Sequence, residues 1–117
     1  MLEFDKVVKE IKEYKRKSSY YLETAYGLDF NCKNGFFPCE VYNLDRSIAL
    51  EILPRLLYFR DATTTYPGGF NSLEDWRREL NNMCNEFYNY IFDEDSYSGS
   101  VINPYIKLAE YAPVLWN

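Results

Sequence analysis

The sequence predicts a mainly α protein, a small domain of three to four helices with a kinked central helix and a short β-hairpin or irregular turn. Three observations predict it. Apolar residues recur at helical spacing in three long stretches. Helix starts and stops are marked by Asp45, Ser72 and Asn103-Pro104 at the starts, and by Gly27 and Pro113 at the ends. The chain has 117 residues, of which 47% are hydrophobic and 26% charged, which suits a single domain spanning residues 1–117 around one core.

A first helix is predicted over residues 2–26. Phe4, Val7, Val8, Ile11, Tyr14, Leu22, Ala25 and Tyr26 share one face, interrupted only by Ser18, and Gly27 follows as a left-handed cap. At 1.5 Å per residue it would be about 37 Å long, long enough to pack against a second copy. Its charges are solvated: Lys6, Lys9, Lys12, Lys15, Arg16 and Lys17 alternate with Glu3, Asp5, Glu10 and Glu13 at ion-pair spacing. Residues 28–42 change character. Asn34-Gly35 is a hairpin signal between Phe30, Cys32, Phe36 and Phe37, and Pro38 demotes the second arm to an edge strand or loop.

A second, central helix is predicted over residues 46–61, with Asp45 as its N-cap and Ile48, Ala49, Ile52, Leu53, Leu56, Leu57 and Phe59 on its apolar face. Pro54 in its interior removes the bond to the Leu50 carbonyl and costs about 3 kcal/mol relative to Ala. Packing around the kink, or a use for the freed carbonyl, must offset that cost. Tyr66-Pro67-Gly68-Gly69 then reverses the chain, which sets the second and third helices antiparallel. The third helix, residues 73–92, starts at Ser72 with Asp75 completing a partial capping box. Its stripe is Leu73, Trp76, Leu80, Met83, Cys84, Phe87 and Ile91. A short C-terminal helix over residues 104–112 starts on Asn103-Pro104.

Composition excludes several kinds of chemistry. There is no histidine, so Ser-His-Asp and Cys-His nucleophiles are absent, as is every zinc site with a His ligand. The three cysteines, Cys32, Cys39 and Cys84, cannot make a four-cysteine site or a complete disulfide framework within one chain. No phosphate-cradling glycine loop is present. The segment Asp93-Glu94-Asp95-Ser96-Tyr97-Ser98-Gly99 fails the calcium-loop pattern at Tyr97, Gly99 and Pro104 and reads as a solvated linker. No metal, no cofactor and no enzymatic activity are expected. The net charge of -5 argues against nucleic-acid binding. No apolar run approaches a bilayer span, and the N-terminus lacks a signal-peptide layout, so an intracellular protein with reduced cysteines is expected.

The aromatic content is 19%. It is read first as core, and otherwise as an interface, because Tyr and Trp bury large area yet keep a polar end. Arg60 is the most informative charge. On a helical wheel it falls within the second helix's apolar face, where burial alone is costly. The structural reading pairs it with Asp61, Glu74 or Asp75, or places it as a helix C-terminal cap. The functional reading gathers Arg55, Arg60, Tyr66, Trp76 and Arg77 at the corner as a ligand site. There guanidinium forks would hold phosphate and aromatic faces would stack on a base.

The stretches YNLDRSIALEILPRLLYFRD and YPGGFNSLEDWRRELNNMCNEFYNYIF resemble a group of small uncharacterised bacteriophage proteins. The shared pattern is Leu-Asp, then Leu-Pro-Arg-Leu followed by Phe-[Arg/Lys], then Tyr-Pro, then Trp-x3-Leu-x2-Met. It covers residues 42–92, about half the chain, with Tyr42 where the pattern has Trp. The resemblance implies phage origin, hence the host cytoplasm, and no particular activity. It places Pro54, Arg55, Arg60, Tyr66, Pro67 and Trp76 within a family pattern.

The expected function is non-enzymatic binding directed at the host or its defences, by sequestering a nucleotide-like phosphate ligand at the arginine-aromatic corner. Two rival expectations stand beside it. One is an acidic, tyrosine-rich inhibitor of a host defence protein. The other is a virion or assembly component that forms a homo-oligomer through the first helix.

Overall fold

The computed structural model describes residues 1–17, 38–41, 44–93 and 104–116. It is mainly helical, as predicted. In chain order the described elements are α1 (Phe4–Lys17), a 3-10 turn (Pro38–Val41), α2 (Leu44–Ala62), α3 (Leu73–Phe92), α4 (Pro104–Tyr111) and a closing 3-10 turn (Ala112–Val114). The expected continuation of the first helix to residue 26, the Asn34-Gly35 hairpin and the linker from Glu94 onward lie outside the described residues. At Pro38–Val41 the backbone winds into a helical turn.

α2 and α3 form the centre and run antiparallel. Arg60 near the end of α2 meets Asn81 in the first half of α3, while Asp45 at the start of α2 meets Tyr90 near the end of α3. The reversal is made at Pro67–Phe70, where the Phe70 N–H donates to the Pro67 carbonyl at 3.4 Å. Gly69 there takes φ +99°, a conformation that L side chains rarely adopt, so glycine is required at that point. α3 starts as its sequence predicts, with the Ser72 hydroxyl accepting the Asp75 N–H at 3.1 Å. The box is only half formed. The Asp75 carboxylate is too short to reach back, and it binds Arg78 at 3.0 Å instead.

The core is continuous across three helices: Val7 and Ile11 of α1, Ala49, Leu50, Leu53, Leu56 and Leu57 of α2, and Trp76, Leu80, Met83, Cys84, Phe87 and Ile91 of α3. The predicted α3 stripe is buried in full except Leu73, which packs at its edge. For α2 the predicted face is rotated. Leu50 is buried, Ile48 is 40% exposed, and Ile52 and Phe59 lie at the core margin. The helix also begins at Leu44, so Asp45 sits in its first turn rather than capping it. The continuous apolar run of α2 made both readings of the wheel plausible, and packing against α3 selects between them.

α2 is continuous through Pro54. One residue beyond the carbonyl that the proline deprives of its bond, the Glu51 carbonyl accepts from the Arg55 guanidinium at 2.6 Å. A side chain thus supplies a donor to the turn in which proline removes one. Burial of Cys84 pushes its thiol up to about 12, so this cysteine is a packed core residue with no thiolate character near neutral pH.

Polar clasps fix the outer helices. α1 runs antiparallel to α2, with Phe4 edge-on to Tyr58 at 5.7 Å and Lys15 paired with Glu51 at 3.1 Å. α4 lies along α3, with Tyr105 edge-on to Phe87 at 5.3 Å and Lys107 bridging Glu79 at 3.3 Å and Glu86 at 3.2 Å. Tyrosine hydroxyls complete the ties. Tyr88 donates to Glu10, Tyr90 donates to the Asp45 carboxylate, and Tyr105 donates to the Asp45 carbonyl.

These phenols predict an alkaline limit to stability. The hydrogen bond to Glu10, with burial, pushes Tyr88 up to about 12. Burial and the nearby Asp45 carboxylate push Tyr105 up to about 12, and burial with the Asp45 hydrogen bond raises Tyr90 further. Each phenol keeps its proton in the folded chain where the unfolded chain has already released it. The contribution of these phenols to stability should therefore be constant below the ordinary phenol value of about 10 and fall as pH rises from there toward 12. Urea unfolding midpoints measured across that window should decline, and Tyr90→Phe should flatten the decline. A midpoint unchanged through pH 12 would contradict the clasps.

Candidate functional site

The five residues expected at the arginine-aromatic corner separate in the structure. Trp76 is 1% exposed and belongs to the core, packed against Phe70 at 4.9 Å and Tyr111 at 5.5 Å. It has no face left to stack on a ligand. Tyr66 is exposed in the turn and Arg55 is exposed on the far side of α2 from the core; neither lines the corner. Arg60 and Arg77 do come together. They line a cleft of about 380 Å³ with Met1, Asp61, Glu74, Arg78 and Asn81.

Local helix periodicity builds the cleft. Glu74, Arg77, Arg78 and Asn81 recur at i, i+3, i+4 and i+7, which gives one polar face on the first half of α3. That face lies against the end of α2, where Arg60 and Asp61 stand. Arg60 is 3% exposed. Its Nε donates to one Asp61 oxygen at 2.9 Å, its Nη2 to the other at 3.2 Å, and its Nη1 to Asn81 Oδ1 at 2.8 Å. This is the structural pairing with Asp61 that the sequence offered as one of its two readings of Arg60. A buried guanidinium held by a bidentate carboxylate and an amide is spent on the fold and is fixed in orientation.

Arg77 differs. Its Nη2 donates to the Thr63 carbonyl at 2.8 Å, its Nε is buried with no acceptor, and among the described residues it has no carboxylate partner. Thr63 is itself fully buried and turns the chain out of α2, its N–H on the Phe59 carbonyl at 2.9 Å and its hydroxyl on the Thr65 carbonyl at 3.1 Å. The carbonyl that Arg77 uses is therefore rigidly placed. Arg78 is exposed and reaches Asp75 at 3.0 Å and Glu74 at 4.0 Å. Two carboxylates, Asp61 and Glu74, line the cleft with the three guanidinium groups, and Asp75 pairs with Arg78 beside it.

Reading the sequence missed Asn81 and Arg78 as cleft residues and offered Glu74 only as a partner for Arg60. The signal was present in the i, i+3, i+4, i+7 spacing of polar residues on α3. Among the described residues no group of three or more Cys, Asp or Glu is placed to hold a metal ion, and no helix is long and apolar enough to cross a membrane. Comparison of the chain with protein-family models, with curated proteins and with solved structures gave no match.

Proposed function

We propose that this is a non-enzymatic binding protein of phage origin, acting on the host or its defences by sequestering a small phosphate-bearing, nucleotide-like ligand in the cleft of Arg60, Arg77, Arg78 and Asn81. One observation carries the reading: Arg77 is half-buried in the cleft wall and, among the described residues, has no carboxylate partner. A guanidinium in that position costs desolvation energy that an anion in the cleft would recover. Arg78 sits on the rim and can swing from its exposed partners, while Arg60 and Asn81 form a fixed floor. A volume of about 380 Å³ lies at the lower end of small-molecule sites and suits one mononucleotide-sized group.

The test is a thermal-shift panel of nucleotides and cyclic nucleotides on the wild type and on Arg77→Ala. A cleft ligand should raise the wild-type midpoint by several degrees, because binding to the folded state alone stabilises by about 2.7 kcal/mol at a hundredfold excess over Kd. Arg77→Ala should fold and show no shift. A shift that persists in Arg77→Ala would remove the cleft from the proposal.

A second reading, inhibition of a host protein through an acidic tyrosine-rich surface, draws on the net charge of -5 and on the exposed rings of Tyr58, Tyr66 and Trp116. It predicts a basic partner whose capture weakens steeply with salt.

A further inference from the structure

The face of α2 opposite the core carries a pattern that the fold uses only in part, where Phe4 meets Tyr58 and Lys15 meets Glu51 at one flank. Leu44, Ile48, Glu51, Arg55, Tyr58 and Ala62 follow one another at alternating steps of four and three residues, so they fall on one line along the helix. The line is open to solvent. Leu44 is 51%, Ile48 40% and Tyr58 64% exposed, and the Arg55 side chain is 72% exposed. Six positions in this register make a seam that α1 borders through Phe4 and Lys15 and that, among the described residues, leaves Leu44, Ile48, Arg55 and Tyr58 exposed.

The seam is also a palindrome in chemistry about Leu53. Read from either end it runs apolar, large apolar, charged, oppositely charged, large apolar, apolar. A second copy running in the opposite direction therefore sets Leu44 against Ala62, Ile48 against Tyr58, and Glu51 against Arg55, each contact occurring twice by symmetry. We propose that this face joins two copies of the chain in an antiparallel, two-fold symmetric pair, with Glu51 of each copy on Arg55 of the other.

Side-chain geometry favours that occupant. Arg55 spends only Nη1 within its own helix, on the Glu51 carbonyl at 2.6 Å and the Glu51 carboxylate at 2.9 Å. Among the described residues its Nε and Nη2 have no partner, and they are the donors a facing carboxylate would take. Any partner other than a reversed copy must supply a carboxylate and a cation in this order between two apolar ends. The reversed copy supplies them by construction. A groove of about 530 Å³, lined by Phe4, Pro54, Arg55, Tyr58, Phe59 and Ala62, borders the seam and gives the facing apolar side chains somewhere to sit. The pairing uses α2 rather than the first helix expected from the sequence, and it leaves the arginine cleft open, since Arg60 and Asp61 lie off the line.

A seam of one helix, about 28 Å long, lies at the small end of specific interfaces, so the dissociation constant should be on the order of 10 μM. Sedimentation velocity on the full chain, across concentrations spanning that value, should show a monomer–dimer equilibrium. Glu51→Arg alone and Arg55→Glu alone each place like charges opposite one another twice and should weaken it at least about 10-fold. Mixing these two variants in equal amounts should restore a dimer, because one chain then carries cations at both central positions and the other carboxylates. Ile48→Asp, at an exposed position without an ion pair, should weaken the dimer similarly even if either charge variant folds poorly. A wild type that stays monomeric throughout overturns the proposal. So does a dimer indifferent to Ile48→Asp, or two folded charge variants that fail to associate on mixing.

Discussion

Trp76→Ala should cost about 3–5 kcal/mol of folding stability, the range for emptying a fully buried large aromatic position. The indole is 1% exposed and joins two parts of the structure, the chain reversal through Phe70 and α4 through Tyr111. Its removal should therefore loosen α4 as well as open a cavity in α3. Against a total stability of roughly 5–15 kcal/mol, that is a large fraction. Trp76→Phe keeps most of the packing and should fold. Ligand binding in that variant should equal the wild type, because a buried ring cannot stack on a ligand. Chemical denaturation of both variants checks the first statement, and the nucleotide panel on Trp76→Phe checks the second. Loss of binding in a well-folded Trp76→Phe would return the tryptophan to the site.

The second large effect falls on the Arg60–Asp61 pair, and its sign pattern is unusual. Arg60 has a side chain 4% exposed, while Asp61 is 52% exposed. Removing Arg60 lets the Asp61 carboxylate rehydrate, so Arg60→Ala should cost about 2–3 kcal/mol, from lost packing and lost charged hydrogen bonds. Removing Asp61 leaves a buried guanidinium held by the Asn81 amide alone. Asp61→Ala should therefore cost as much as Arg60→Ala or more, about 3 kcal/mol, although an exposed residue is ordinarily replaced within about 0.5 kcal/mol. Urea denaturation of the two single variants and the double variant measures this, with the double variant expected to recover part of the Asp61→Ala loss. If Asp61→Ala behaves as an ordinary surface change, Arg60 has another source of compensation and its fixed place on the cleft floor is lost.

The α3 boundaries were readable because every local signal agreed: a Ser N-cap, a narrow stripe and a polar opposite face. The same holds for the antiparallel turn, where Gly69 takes a positive φ that favours glycine. α2 was harder. Its apolar residues cover most of the wheel, so periodicity alone placed Ile48 inside and overlooked Leu50, and only contact with α3 orients the helix. The site was legible in part. Arg60 stood out as a charge on an apolar face, and both of its readings were written in the sequence. Which one applied depended on Asn81, twenty-one residues away, reaching the end of α2. Trp76 and Arg77 are neighbours in sequence, yet on a helix they point about 100° apart, one into the core and the other into the cleft. Grouping them as one site treated adjacency along the chain as adjacency in space.

Arg77, without a carboxylate partner among the described residues, is the centre of the functional account, and native mass spectrometry tests it most directly. The protein would be purified gently from cells that contain nucleotide signals, in parallel with Arg77→Ala. A discrete added mass on the wild type, matching a nucleotide-like phosphate ester and absent from a folded Arg77→Ala, is the result expected. A bare polypeptide mass for the wild type, or the same adduct on both proteins, would contradict sequestration in the cleft.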